Sequence, residues 1–342
     1  MPRALIALLL AALALPVHPA HAAPSPPSGV GQCAPGLGIG LLEVPKATLK
    51  DPRARNYVID AVKPGATFTR KFQVCNGTHD PLPVMLYPDA ATISDGSFVL
   101  AQGHGASDLT SWMSIDPPTL TVPSGKAVIA TVRFAVPVDA TAGERYGGMV
   151  AESPAIGGGG ISVGGRVAIR VYLSIAPGGA PQSDFTIDSL QAVRAKDGTP
   201  AVLAKVHNTG ARALDMRGSL KLTEGPAGLS AGPFDAQLGT TLAPGDTAPV
   251  VVPLDKAIRG GPWTAVITMT SGLLERRAEG AVTFPDEAGT ASPAVTAKAL
   301  PLYKDTSVVF PVAIAVFSVV LLVLLGFVLW RFLTTRRTTR TT

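Results

Sequence analysis

Polar and apolar residues alternate along most of this chain with a period of two, and that spacing limits it to strands. Val128, Ala130, Val132, Phe134 and Val136 fall on one parity, with Thr131 and Arg133 between them. Val167, Ile169, Val171, Leu173 and Ile175 repeat the pattern around Arg170 and Ser174, and Trp263, Ala265, Ile267 and Met269 repeat it around Thr264 and Thr268. Successive side chains of a strand point to opposite faces, so this pattern describes antiparallel sheets that cover a core on one side. Outside the two ends, no 3.6-residue periodicity runs longer than about ten residues. The segment between the ends is therefore expected to be all-β.

The ends read differently. Val308 to Trp330 is an apolar run of 23 residues without a charge. At about 1.5 Å per residue it would reach roughly 34 Å, enough for a hydrocarbon core of about 30 Å. Arg331, Arg336, Arg337 and Arg340 follow it, which places the C-terminal end in the cytoplasm and the preceding chain outside. At the N-terminus, Arg3, the apolar stretch Ala4 to Leu15 and the small residues Ala20-His21-Ala22 make a signal peptide over residues 1–22. Leu300-Pro301-Leu302-Tyr303-Lys304 contains no wall-sorting motif. The expectation is a single-pass cell-membrane protein, anchored by 308–330, with a basic tail at 331–342.

Charge must be read without those signals. The formal net charge is +5. Removing Arg3 and the four tail arginines leaves 24 bases against 24 acids, so the exported part is neutral. The basic balance is topological and gives no reason to expect nucleic acid. Gly and Pro, 36 and 31 residues, punctuate short strands. Lys63-Pro64-Gly65, Val122-Pro123-Ser124-Gly125 and Ala243-Pro244-Gly245 each open a strand. Val74-Cys75-Asn76-Gly77-Thr78 and Val206-His207-Asn208-Thr209-Gly210 each close one. This weak repeat predicts two immunoglobulin-like β-sandwiches, residues 36–177 and 182–285, with a stalk at 286–306.

Candidate chemistry is sparse. Cys33 and Cys75 are the two cysteines, and export favours one disulfide between them, closing a loop whose chain-entropy contribution is about 3–4 kcal/mol. Gly160-Ile161-Ser162-Val163-Gly164 matches a nucleophile-elbow string, but a strand follows Ser162 where the elbow needs a helix. Gly36-Leu37-Gly38-Ile39-Gly40 lacks the third glycine spacing of a dinucleotide loop. His79, His104 and His207 are isolated, with no metal-ligand spacing. Asn76-Gly77-Thr78 is formally a glycosylation sequon but reads as a turn. Trp112 and Trp263 read as core or rim residues. No catalytic, cofactor or metal site is assigned.

The order Tyr57-Val58-Ile59-Asp60-Ala61-Val62-Lys63-Pro64-Gly65, Val74-Cys75-Asn76-Gly77-Thr78, Ser111-Trp112-Met113-Ser114-Ile115 and Ala142-Gly143-Glu144-Arg145-Tyr146-Gly147-Gly148-Met149-Val150 resembles the WxL-interacting protein family of Gram-positive surfaces. The resemblance implies two immunoglobulin-like domains, a membrane helix, a first domain that binds peptidoglycan and a second that contacts surface proteins. On that basis the expected function is a non-enzymatic, membrane-anchored scaffold that binds cell-wall polymer or another surface protein. The alternatives are an assembly chaperone that caps strands of surface proteins and a hydrolase dependent on Ser162.

Overall fold

A computed structural model describes residues 33–156 and 163–301. Residues 1–22, expected as a signal peptide, Ser162 and the apolar run 308–330 lie outside the described residues. No helix among the described residues is long and apolar enough to cross a membrane.

The described chain is all-β and builds two sandwiches, each around its own core. The first contains β1 (Leu37–Leu41), β2 (Val58–Val62), β3 (Thr67–Asn76), β4 (Leu82–Ser94), β5 (Ser97–Leu100), β6 (Met113–Asp116), β7 (Thr119–Val122), β8 (Ala127–Ala135), β9 (Gly143–Ile156) and β10 (Val163–Ile175). One sheet has the order β1-β3-β8-β6. The other runs β2-β10-β9-β4-β5, with β7 also paired to β4. Phe72, Val74, Val132, Phe134, Val171 and Leu173 come from facing strands of the two sheets and are fully buried between them. The parity read from the sequence therefore matches the inward face of β8 and β10. A single helical turn, α1 (Asp108–Ser111), is capped reciprocally by Ser107 and Thr110 and inserts Leu109 into this core.

The second sandwich contains β11 (Phe185–Arg194), β12 (Pro200–Asn208), β13 (Leu214–Asp215), β14 (Arg217–Thr223), β15 (Ala231–Asp235), β16 (Thr241–Leu242), β17 (Thr247–Pro253), β18 (Trp263–Ser271), β19 (Leu274–Val282), β20 (Thr290–Ala291), β21 (Val295–Thr296) and β22 (Lys298–Leu300). Its sheets are β17-β12-β11-β20, with β21 on β11, and β15-β14-β18-β19-β22. Phe185, Leu190, Leu220, Val250, Val252 and Ile267 fill the space between. Trp263 is a core residue here, and its indole N–H donates to the Arg259 carbonyl at 3.0 Å. Residues 290–300, expected as part of a stalk, instead form three short strands. Val295 and Ala297 pack on the core, and the backbone pairs with β11 and β19, so the segment has partners that its Ala- and Thr-rich composition did not reveal.

The two Asn-containing repeats perform the same structural task. Asn76 is fully buried. Its amide donates to the carbonyls of Asp80 (2.8 Å) and Val122 (2.9 Å), while its Oδ1 accepts from the Thr78 N–H at 2.9 Å. Asn208, also fully buried, donates to Arg212, Leu242 and Ala243 carbonyls at 2.9, 3.1 and 3.0 Å and accepts from the Gly210 N–H. Each side chain ties the turn after one strand to a distant strand end. A buried Asn76 with its amide committed in this way is a turn clamp and presents no free amide as a glycosylation acceptor.

Truncating the second clamp leaves three carbonyls short of a donor. Asn208→Ala is expected to destabilise the second sandwich by about 3 kcal/mol. A denaturant midpoint unchanged from wild type would contradict this assignment.

Candidate functional site

The polar residues that the structure concentrates lie at the junction of the two sandwiches. The segment between β1 and β2 leaves the first sandwich and returns through a short 3-10 turn, Pro52–Arg55, capped by Asp51, which accepts the Arg53 N–H at 2.9 Å. The same carboxylate holds the Arg53 guanidinium, Nη2 to Oδ2 at 2.8 Å and Nε to Oδ1 at 3.2 Å. Arg53 Nη1 then crosses to the second sandwich, donating to the Ala213 carbonyl at 3.3 Å and the Ser271 hydroxyl at 3.4 Å. It also stands 3.8 Å from Asp215.

Asp215 gathers the other donors. Tyr172 OH donates to its Oδ1 at 2.8 Å, Arg170 Nη1 at 3.1 Å and Thr241 Oγ1 at 3.1 Å. Arg170 and Tyr172 sit on the outward face of β10, because Ile169, Val171 and Leu173 take the inward face. The Arg170 guanidinium lies over the rings of Phe98, 4.8 Å from the centroid, and Tyr57, 5.5 Å. Phe98, Tyr146 and Tyr172 pack edge-on or tilted beneath it. The tip of the β4–β5 hairpin completes the contact, the Thr241 N–H donating to the Gly96 carbonyl at 2.8 Å.

Glu144, at the start of β9, makes a second crossing. It accepts from the Ala213 N–H at 2.5 Å and from Tyr146 OH at 3.0 Å, and Arg212 stands 3.9 Å away. Burial pushes the Glu144 carboxyl above its ordinary range, although each of these partners pulls the other way. Burial and the facing carboxylates likewise raise Tyr146 and Tyr172, which stay neutral. Burial also raises Asp51, but its Arg53 contacts outweigh that and hold it below the usual carboxylate range.

A second polar cluster lies on the outer face of the first sandwich. Asp89, with no exposed surface, accepts from Arg166 and from the Gly105 N–H at 2.5 Å. Tyr87 bridges Arg166 and Glu152, and the His104 ring stacks on it with centroids 3.9 Å apart. In both clusters every arginine faces an acid of the protein itself, so neither presents a free cationic pocket.

The backbone of β10 offers something else. Strand β2 pairs with β10 only over Val171–Ile175, whereas β9 pairs along nearly its whole length. The Ala176 N–H donates to the Val62 carbonyl on the β2 side, while the Gly165 N–H donates to Ser153 on β9. Alternation along the strand then directs the N–H and C=O of Arg166 and Ala168, and the N–H of Arg170, away from β9, on the side where β2 has not yet begun; the Arg170 carbonyl already faces Val58, the first residue of β2. Among the described residues, no strand pairs with that stretch. Other sheet edges are blunted by proline: Pro117 after β6, Pro233 in β15, Pro249 and Pro253 in β17.

The residues singled out from sequence do not converge. Cys33 and Cys75 are placed as a disulfide, with Cα atoms 5.6 Å apart, in the segment that leads into β1 and at the end of β3. His79 lies in the turn after β3, His104 stacks on Tyr87, and His207 on β12 contacts Thr247 at 2.8 Å. Among the described residues no cluster of His, Cys, Asp or Glu could hold a metal. Trp112 packs on the first core. The sequence reading missed Arg53, Glu144, Arg170 and Asp215. Arg170 appeared there only as the polar position of an alternating strand, and Asp215, an acid set between the apolar Leu214 and Met216, was the one further signal available.

No protein-family model matches the chain, and no curated protein matches it. The chain is similar to solved structures of pilus chaperones. A chain of the Salmonella enterica SafA pilin–SafB chaperone complex shares 9% identity at a TM-score of 0.39, over 78% of this chain and 97% of that one. The E. coli chaperone DraB shares 12% identity at 0.35, over 77% and 96%. The Pseudomonas aeruginosa chaperone CupB2 shares 12% at 0.34, over 66% and 97%. Likeness at this level carries no argument about the partner or mechanism of this chain.

These findings correct the expectations drawn from the family resemblance. No match to the WxL-interacting family appears, and the structural likeness is to pilus chaperones instead. The physical reason is that the quoted stretches are general sandwich devices: strand, proline turn and asparagine clamp. The membrane-anchored scaffold binding peptidoglycan or a surface protein is withdrawn with the resemblance. Localisation as a single-pass cell-membrane protein is withdrawn as well, since no described helix spans a membrane and the similar structures are chaperones.

The junction carries a pH signature. A carboxyl raised in the folded state contributes its full stability below its unfolded value of about 4.5, and that contribution is lost as pH rises through the folded value. Asp60, raised by burial against its Arg70 partner, acts in the same sense. Glu144→Gln is expected to make stability fall less steeply with pH above about 4.5 than in the wild type. Urea midpoints measured from pH 4 to 8 would contradict this if the two slopes coincide.

Proposed function

We propose that the protein binds an extended segment of another polypeptide by strand addition along the free edge of β10, in the manner of an assembly chaperone. The single observation that carries this reading is the outward backbone of Arg166 and Ala168, with the Arg170 N–H, left without a strand while β9 holds the same strand in register. Strand addition draws its affinity from main-chain hydrogen bonds and its selectivity from alternate side chains. The junction supports the role by fixing the base of β10, through Arg170 and Tyr172, to the second sandwich.

The two-domain division at residues 36–177 and 182–285 belongs to this reading; the two separate cores support it, with Val295 and Ala297 adding to the second beyond that bound. So does the Cys33–Cys75 bond, which ties the start of the first sandwich to the end of β3. Peptide mass mapping of the purified chain without reductant is expected to recover Cys33 and Cys75 as one linked pair. Recovery of two free thiols would remove the bond from the account.

The edge is tested by removing one outward donor. Proline at position 168 deletes an N–H that the β9 ladder does not use. Ala168→Pro in the full chain is expected to keep the fold, read as an unchanged far-ultraviolet spectrum, and to lower the co-purified polypeptide at least tenfold. Ile129→Glu, on the opposite sheet where the side chain is 58% exposed, serves as the control and is expected to leave recovery unchanged. Equal recovery with Ala168→Pro and wild type would overturn the proposal.

A further inference from the structure

The edge of β10 has a neighbour that the fold covers only lightly. Strand β1 packs beside β10 but hydrogen-bonds to the other sheet, pairing Leu37–Leu41 with Phe72–Asn76 of β3. Two of its five residues are glycines, which have no side chain to pack and lose the most backbone freedom when ordered. None of the five is fully buried. Beyond the strand, the Leu42 N–H donates to the Lys71 carbonyl at 3.0 Å, and the Glu43 carboxylate accepts the Lys71 N–H at 3.0 Å. Strand β3 does not need this cover to stay in its sheet, because β8 pairs with it from Thr67 to Cys75.

The attachment is concentrated at the other end. Gly36 accepts the Gly77 N–H at 2.7 Å, and Cys33 is bonded to Cys75. The chain passes Gly77 so closely that a Cβ there would stand 1.9 Å from the Ala34 carbonyl oxygen. The Asn76 N–H donates to Lys126 beside β8, and the Gly77 N–H donates toward β1. Alternation therefore turns the backbones of Lys71, Gln73 and Cys75 toward β1. Removing β1 would expose these groups as a second strand edge next to that of β10.

We propose that residues 33–43 form a redox-latched strap that masks a second strand-binding edge, on β3, for an extended polypeptide. The Cys33–Cys75 bond is the latch. A dithiol reductant opens it by exchange: the disulfide takes up two electrons and two protons to give two cysteine thiols, and the dithiol leaves as its own disulfide. Without the bond, β1 is held by one-sided pairing and half-buried side chains, and it opens locally while β3 stays on β8. The geometry of the strap stands without the β10 proposal; that the uncovered edge takes the same kind of partner rests on it.

Hydrogen exchange of the full chain, oxidised and after dithiothreitol, tests the strap. Reduction is expected to speed amide exchange at Gly38, Gly40 and Leu42 and at Gln73 and Cys75 at least tenfold. Amides of Phe72, Val74 and Asn76, which face β8, and those of β18 should keep their rates. Cys33→Ser with Cys75→Ser should reproduce the reduced pattern without reductant. Gly77→Ala should loosen β1 with the disulfide intact. Equal exchange in the two redox forms would overturn the proposal. So would loss of protection throughout the first sandwich, which would make the bond a global staple. A photo-crosslinker at Gln73 should capture added polypeptide only in the reduced chain, and capture in both forms or in neither would refute the second edge. The Ala168→Pro result is read in the oxidised chain, so the two proposals fail separately.

Discussion

One carboxylate holds the two sandwiches in a fixed relation. Asp215 belongs to the second sandwich, yet two of its hydrogen-bond donors, Tyr172 and Arg170, come from the first. A buried carboxylate is costly unless its charge is compensated, so this position is stable only while the donors from both sandwiches are in place. The same logic governs Glu144, which enters from the opposite side and receives the Ala213 N–H. The two acids lie on different sandwiches and each reaches across. Rotation of one sandwich against the other would strand both of them. The junction therefore acts as a geometric constraint on β10, whose residues 170 and 172 are among its parts.

That constraint separates two demands which a sandwich edge usually sets against each other. An open strand edge invites aggregation, and proline blunts the edges of β6, β15 and β17. Strand β10 has no proline and keeps its outward groups at Arg166 and Ala168. Its register is nevertheless fixed three times over, by β9 along its length, by β2 at one end and by Arg170 and Tyr172 at the junction. An edge that is open yet held in register selects a strand; an open edge that could slip would collect any strand. Arg166 adds a further tie, to Asp89 and Tyr87 across the sheet face.

The fold class was legible in the sequence because its signal is local. Alternation over five to nine residues placed β8, β10 and β18, and the Pro-Gly and Asn turns marked where strands begin and end. The two-sandwich architecture followed from those elements. The site was not legible, because its residues meet only after folding: Arg53 bonds to Ser271 across 218 positions, and Arg170 to Asp215 across 45. An isolated arginine or aspartate in a strand reads as a solvent-facing residue until its partner is known. The Asn76 and Asn208 elements show the opposite case. Their similarity was visible, and it reflected a shared packing requirement of sandwiches, which is also why it misled as a mark of family. The short strands at 290–300 escaped notice because two- and three-residue strands are too brief to show a period.

The sharing of β10 between its neighbours has a mechanical consequence. A strand laid along its free half would lie nearly parallel to β10, so tension on that strand would load the new hydrogen bonds in shear and not one after another as a zipper. The load would run down β10 to Arg170 and Tyr172 and enter the second sandwich through Asp215. The molecule would then resist a pull as one stiff lever, with the junction as its fulcrum.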